Sequence, residues 1–282
     1  MYKCRYEADS GLVFHFDFAY GVIFDLDPLG GLDVDMHTSQ GFGQVGETLE
    51  NQSVGGMVRR IRGYLIHSVS ALKKSLMDTF LPLSSGTLIF NDKYSARCYV
   101  HTTPIIQPQS KHPLFELELY SPNPYWYDLN SPTVTNQQTS QGFQFPVNYG
   151  EPHTFGSSST SIDFDVQNDG VATSEFILTF EASGSVINPR IVDLDTLQHI
   201  GLTGTIGSGE VYTIYRENGR LRVDKTVGGE TSDAFGMLDY TSDLYTMHTG
   251  TNRFRVQADS GVSMLVVSVN VKTAVAGVYD GM

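Results

Sequence analysis

LFELELYSPNPYW, residues Leu114 to Trp126, is the stretch from which the rest of the chain can be ordered. Phe115, Leu117 and Leu119 alternate with Glu116 and Glu118, the period of a strand with one buried face. Pro122 and Pro124 then stop it, because proline has no N–H to give a sheet ladder. Tyr125, the only tryptophan (Trp126) and Tyr127 follow directly. The run therefore reads as the end of a first domain sealed by aromatics. A mixed α/β segment precedes it, and a polar connector and an almost purely β pattern follow.

Working back from Leu114, Pro104, Pro108 and Pro113 bracket a loop. Tyr94–Thr103 and Thr87–Phe90 read as strands, turned by Asn91-Asp92 and by Gly86. Val69, Leu72, Leu76, Met77 and Phe80 fall at helical spacing, with Lys73 and Lys74 on the other side. Ser68 or Ser70 can cap this helix, and Pro82 ends it. Its apolar stripe reads as core. Met57–Ile66 (MVRRIRGYLI) reads as a strand carrying Arg59, Arg60 and Arg62. This cluster is either a solvated strand face or a contact to carboxylates, for which the guanidinium fork is suited. It is expected to face the sheet's packing partner or a subunit interface.

Residues Asp25 to Gly56 are rich in Gly, Asp, Ser and Gln and weak in periodicity. So long a segment inside a compact domain is unusual and often functional. It reads as a projecting arm or loop, with room for a β-ribbon. Before it, Phe14, Phe16 and Phe18 alternate with His15 and Asp17 as a strand, with Val22–Phe24 as its expected partner.

Working forward, Asn130 to Ser161 is polar and rich in turn residues, and reads as a linker. Phe143, Phe145, Tyr149 and Phe155 are spaced through it. Then strands succeed one another: Ile162–Gln167, the Asn168-Asp169-Gly170 turn, and Phe176–Phe180. Val211–Tyr215 and Leu221–Val227 flank Asn218-Gly219, the strongest hairpin signal in the chain. Phe254–Val256 starts another strand, and Met264–Val271 is apolar enough to be covered on both faces. Many short strands with regular turns make a sandwich or barrel. The fold class is mainly β, with an α+β first domain. Its expected divisions are 1–128 (arm about 25–56), linker 129–160 and second domain 161–282.

The chain has 282 residues and a net charge of -13. Up to Tyr127 there are 10 Lys and Arg against 13 Asp and Glu; from Asp128 onward, 8 against 18. Such acidity argues against sequence-independent DNA binding, which basic patches supply. No window approaches the roughly 20 continuous apolar residues of a membrane span, and no signal peptide is expected. Cys4 and Cys98 read as free thiols in a reducing compartment.

No nucleophile elbow, His-Glu-x-x-His motif, phosphate-cradling loop or dinucleotide fingerprint is present. Asp25, Asp27, Asp33 and Asp35 come closest to a metal motif, but their spacing does not fit an EF-hand loop. They read as an acidic loop. No His pair has zinc spacing, and nothing singles out a carboxylate pair for glycoside hydrolysis. The expectation is a protein that is not an enzyme, with no cofactor and no metal.

Several segments, in order, resemble the distal tail protein family of long-tailed siphophages. They are GMVRRIRGYLIHSVSALKKSLMDTFLPLSSGTLIFNDKYSARCYVHTTPI (Gly56–Ile105), FELELYSPNPYW (Phe115–Trp126), FQFPVNYGEPHTFG (Phe143–Gly156), VQNDGVATSEFILTF (Val166–Phe180), GTNRFRV (Gly250–Val256) and the closing GVYDGM. Of the family's Phe-Pro repeat linker, one clear pair remains, Phe145-Pro146. The resemblance implies a structural virion protein of the tail tip and baseplate. The N-terminal, β-sandwich-like domain with one helix would form a sixfold ring. The C-terminal domain would be a galectin-like β-sandwich, without the large carbohydrate-binding insertions some relatives carry. The hexameric hub would join the tail tube protein to tail-tip and receptor-binding proteins, mostly on Gram-positive hosts, with DNA passing its lumen unbound. It would be assembled in the host cytoplasm, without membrane contact. Asp33 and Asp35 in the arm, with Arg59, Arg60 and Arg62, are the candidate subunit and partner contacts. The rival class is a carbohydrate-binding module for host-surface glycans; a glycosidase is a weaker third reading.

Overall fold

A computed structural model describes residues 2–107, 111–140, 157–160, 162–217, 220–243 and 245–278. It divides into two units, 1–130 with 274–282, and 131–273. The arrangement differs from three consecutive blocks: the second unit is inserted before the last strand of the first.

In chain order the first unit comprises β1 (Cys4–Ala8), β2 (Val13–Phe16), β3 (Val22–Asp27), β4 (Val34–Ser39), β5 (Thr48–Val54), β6 (Met57–Leu65), α1 (Val69–Thr79), β7 (Ser85–Phe90), β8 (Tyr94–Ile106), β9 (Leu114–Ser121) and β10 (Trp126–Asp128). Its main sheet runs β2-β1-β7-β8-β9-β6-β3, antiparallel throughout. Leu114–Ser121 forms β9, and its alternation holds: Phe115, Leu117 and Leu119 are fully buried. β6 alternates in step, burying Met57, Arg59, Ile61, Gly63 and Leu65. Trp126 is also fully buried, in one core with Tyr6, Phe14, Phe16, Leu76, Phe80 and Phe90.

α1 lays Leu76 against that core, with Val69 and Leu72 partly buried, while Met77 stays exposed. Ser68 occupies the N-cap position but its side chain makes no capping bond, since its backbone is left-handed.

The chain differs from expectation at two further places. β3 pairs with β6, and β2 with β1, because Asp17 caps a 3-10 turn at Phe18–Tyr20 that carries the chain away from β2. Phe18 is consequently half exposed. Gly86 lies inside β7 rather than in a turn. A Cβ there would stand 2.4 Å from the Glu7 carbonyl and 2.6 Å from the Tyr6 ring, so the strand needs glycine for close approach. Asn91 and Asp92, by contrast, do make the turn, both at positive φ.

The second unit comprises β11 (Thr133–Thr135), β12 (Gln137–Ser140), β13 (Ser157–Thr160), β14 (Asp163–Asn168), β15 (Phe176–Ala182), β16 (Val186–Ile187), β17 (Arg190–Asp193), β18 (His199–Gly201), β19 (Thr205–Ile206), β20 (Val211–Glu217), β21 (Arg220–Val227), β22 (Glu230–Asp233), β23 (Gly250–Gln257) and β24 (Leu265–Val271). Two sheets, β11-β24-β15-β20-β21-β22 and β14-β23-β17-β18, share one core that includes Leu178, Phe180, Phe254 and Val267. This is a β-sandwich. The first part of the expected linker is therefore an edge strand. Asn136, buried beside it, accepts from the Val267 N–H at 2.8 Å and donates its own N–H to the Val267 carbonyl at 3.0 Å. β24 buries one face fully and the other partly. β20 and β21 pair through Glu217 and Arg220, as a two-residue hairpin requires, although Asn218-Gly219 lie outside the described residues. So do Phe143–Gly156 and the last residues of GVYDGM. Asn168, at the expected turn, is buried and donates to the Ala172, Met247 and His248 carbonyls while accepting from the Gly170 N–H.

The last strand, β25 (Ala274–Val275), returns to the first unit and pairs with β10.

Candidate assembly surfaces

The arm is a two-stranded ribbon. β4 and β5 pair only with each other, and all their residues are exposed. The register sets Val34 opposite Val54, Met36 opposite Gln52 and Thr38 opposite Leu49, with a bulge after His37. Directly opposed residues share a face, so Val34, Met36, Leu49 and Val54 form an apolar side. Asp35, His37, Asn51 and Ser53 form the polar side. At the tip, Gly41 donates its N–H to Gln44 Oε1 at 2.9 Å, and Gln44 Nε2 donates to Thr48 at 2.9 Å. Gly43 and Gly46 take positive φ there, which glycine adopts freely. Tied in this way, the tip holds Phe42 and Val45 entirely in solvent, at 112% and 100% exposure.

Isolated two-stranded hairpins are marginal in water, and exposed apolar side chains gathered on one element mark a contact surface. From Leu26 to Val58 the chain carries no Lys or Arg, so the ribbon is also acidic. Asp33 lies just before β4 and Asp35 on the polar side, both exposed.

Of the three arginines, the pleat of β6 puts Arg59 on one side and Arg60 and Arg62 on the other. Arg59 is fully buried in the first unit and so presents nothing to a partner. Its Nε donates to Ser121 Oγ at 3.1 Å and its Nη2 to the Pro124 carbonyl at 2.7 Å; its guanidinium lies 4.2 Å over the Trp126 ring. Burial pulls its pKa down. It closes the turn after β9, and the same proline turn brings Trp126 beneath it. Neighbouring Cys98 is buried too, and burial pushes its thiol pKa up.

Arg60 and Arg62 face outward. Arg60 Nη2 lies 2.8 Å from Glu118 and Nε 3.1 Å from Glu116; Arg62 lies 3.6 Å from Asp25. Arg60 holds the Glu118 carboxyl below its usual range, helped by His101 and Thr102. Ile23, Tyr64 and Leu114 sit beside Arg62 around a shallow cavity of about 380 Å³. This face is thus a mixed apolar and ion-paired surface.

Among the described residues no group of three or more His, Cys, Asp or Glu is placed to hold a metal. No helix among them is long and apolar enough to cross a membrane. In the second unit His199 lies 3.7 Å from each of Asp239 and Asp243. Asp243 and Ser242 also accept from the His199 and Gly201 backbone N–H groups, so the group clamps a loop onto β18.

Sequence reasoning found the ribbon but not its two-faced character. The signal was present: Val34 and Met36 alternate with Asp35 and His37, diluted by glycine on both sides.

No protein-family model and no curated protein matches the chain. Solved structures do. SPP1 Dit (gp 19.1), described as a paradigm of the hub adsorption apparatus in phages infecting Gram-positive bacteria, superposes with a TM-score of 0.63 at 12% identity, over 96% of this chain and 98% of that one. A chain of the phage P2 baseplate in its activated conformation with Ca gives 0.57 at 10% identity, over 99% and 100%. One from the phage p2 baseplate activated with Sr gives 0.56 at 10%, over 96% and 97%. Likeness at this identity establishes a fold, and the chain has, from end to end, the fold of hub and baseplate proteins of phage tails.

Proposed function

We infer that this chain is a structural hub of a phage tail tip. The observation that carries the reading is the end-to-end likeness: both units correspond to one whole hub chain, with little left over on either side. Six copies form a ring through their first units, and each ribbon reaches over a neighbouring copy. The exposed apolar side and the Phe42 tip supply what such a reach needs, a surface that the chain itself leaves uncovered. The ring joins the tail tube to tail-tip and receptor-binding proteins. DNA passes through without specific contact, in keeping with the net charge of -13. The role is non-enzymatic, the location is the virion, and no membrane contact or cofactor is involved. Arg60 and Arg62 serve subunit contacts rather than the lumen.

Light scattering on the purified chain, alone and with its tail-tube partner, tests this. The expected mass is about six times the 31.1 kDa of one chain. A chain that stays monomeric in every mixture refutes the reading. Deleting 34–54 should leave both units folded and abolish rings. The Arg60→Glu, Arg62→Glu pair should weaken rings with normal folding of the single chain. Normal tails that eject DNA at a changed rate would instead put these arginines in the channel.

A further inference from the structure

The ribbon stands on two legs, residues 28–33 and Gly55-Gly56. The second leg lies against the sheet: a Cβ on Gly56 would meet the Tyr120 hydroxyl at 2.3 Å. The first leg is met by a segment nearly the whole chain away. After β24 only Lys272 and Thr273 intervene before β25, where Ala274 pairs with Tyr127 and Val275 with Trp126. Three residues later the Val278 N–H donates to the Leu29 carbonyl at 3.0 Å, and the Val278 side chain is buried in the first unit's core, against which Leu29 also packs. Between these points Gly277 and Gly30 cross back to back. A Cβ on Gly277 would stand 3.1 Å from the Gly30 Cα and 3.3 Å from the Leu29 carbonyl; one on Gly30 would stand 3.2 Å from the Gly277 Cα.

Each part has a physical reason. Ladder pairing with β10 fixes the tail's direction. Burial of Val278 fixes its end. Two glycines allow backbones to approach more closely than any side chain permits. None of this serves the sandwich of the second unit, from which the tail has already departed. All of it bears on the leg that aims the ribbon.

We propose that Ala274–Val278 is a latch that holds the first leg of the ribbon and so sets the direction in which the ribbon projects. The latch acts within the single chain, whether or not the chain assembles.

The test places nitroxide labels at Ser53→Cys on the ribbon and Lys74→Cys on α1, both exposed, in the full chain diluted with unlabelled protein; the native cysteines are buried and take no label. Pulsed dipolar spectroscopy reads the distance distribution, and hydrogen exchange at Val278 reads whether the latch is closed. Gly277→Val should speed exchange at Val278 at least tenfold and broaden the distribution at least twofold, while Ile61 and Leu117 keep their protection. A chain ending at Thr273 should broaden it as much. An unchanged distribution with Val278 exchanging freely, or with the tail removed, overturns the proposal. Ring mass is a separate readout, so loss of the latch and failure of the hub reading are told apart.

Discussion

The ladder β6–β9 starts just after the ribbon β4–β5 ends, at Met57 after Val54, and both are antiparallel pairs, yet they are held by different things. In β6–β9 every second side chain goes to water-free surroundings: Ile61, Leu65, Phe115, Leu117 and Leu119 are fully buried. The charges between them pair across the strands, Arg60 with Glu116 and Glu118. In β4–β5 the backbone ladder is the same, but no side chain is covered. Hydrogen bonds exchanged with water contribute little net stability, while burial contributes about 25 cal/mol per Å² of apolar surface. A strand's ladder and a strand's stability are therefore separate properties. The ribbon has the first; on the hub reading it obtains the second from a neighbouring copy.

Substitutions in the single chain can break that contrast. The largest effect on stability should come from Trp126→Ala, which empties the largest buried side chain and leaves Arg59 without its aromatic cover. A loss of about 3–5 kcal/mol is expected from urea unfolding followed by circular dichroism. A loss below about 1 kcal/mol would mean the turn after β9 is not part of the core's support. Leu76→Ala comes next, at about 2–5 kcal/mol; Trp126 fluorescence reports it, since the only tryptophan lies in the first unit. An undetectable change would show that α1 is not anchored through its buried face.

A smaller effect belongs to Asp9, whose carboxyl is held below its usual range, chiefly by its hydrogen bond to Arg97 and also by one to Ser85. A depressed carboxylate pKa adds stability that is complete above the ordinary aspartate value near pH 4 and is lost as pH falls through the depressed one. Asp9 is about half exposed, so screening leaves no more than about 0.5 kcal/mol. Comparing Asp9→Asn with the parent chain, the gap should narrow below pH 4; a gap that widens there would reverse the assignment.

The smallest effect is expected in the ribbon. Phe42→Ser with Val45→Ser should shift single-chain stability by no more than about 0.5 kcal/mol, as for surface positions generally. On the hub reading the same pair should nevertheless cost ring mass in light scattering. Destabilisation of the single chain by 2 kcal/mol or more would show that the ribbon tip packs at home, and the contrast with β6–β9 would fail.

Much of this was legible beforehand for a definite reason. Side-chain period reports burial on one face, and β6, β9, β15 and β23 each bury one face of a regular alternation. The helix was legible because its stripe has helical period and a proline follows. Asn91-Asp92 was legible because few residues accept positive φ. Apart from the two faces of the ribbon, what escaped had no periodic signature. β11 is only three residues, Thr-Val-Thr, within a polar stretch, recruited by Asn136 bonding to Val267 far along the chain. The placement of β3 beside β6 rather than β2 turns on one aspartate cap.

The arginines draw the same line. Their number and position on a strand follow from the sequence, and a period of two already separates Arg59 from Arg60. Which of the two faces is the core depends on what packs there, namely Trp126 arriving through a proline turn and Ser121 at the end of β9. Most of the strands, the helix, the exposed arm and the overall β character follow from local pattern, because period and backbone preference are short-range properties. That the second unit interrupts the first, that Arg59 turns inward and that Gly277 meets Gly30 were settled by packing alone. Those outcomes depend on contacts between residues far apart in the chain, which no local pattern encodes.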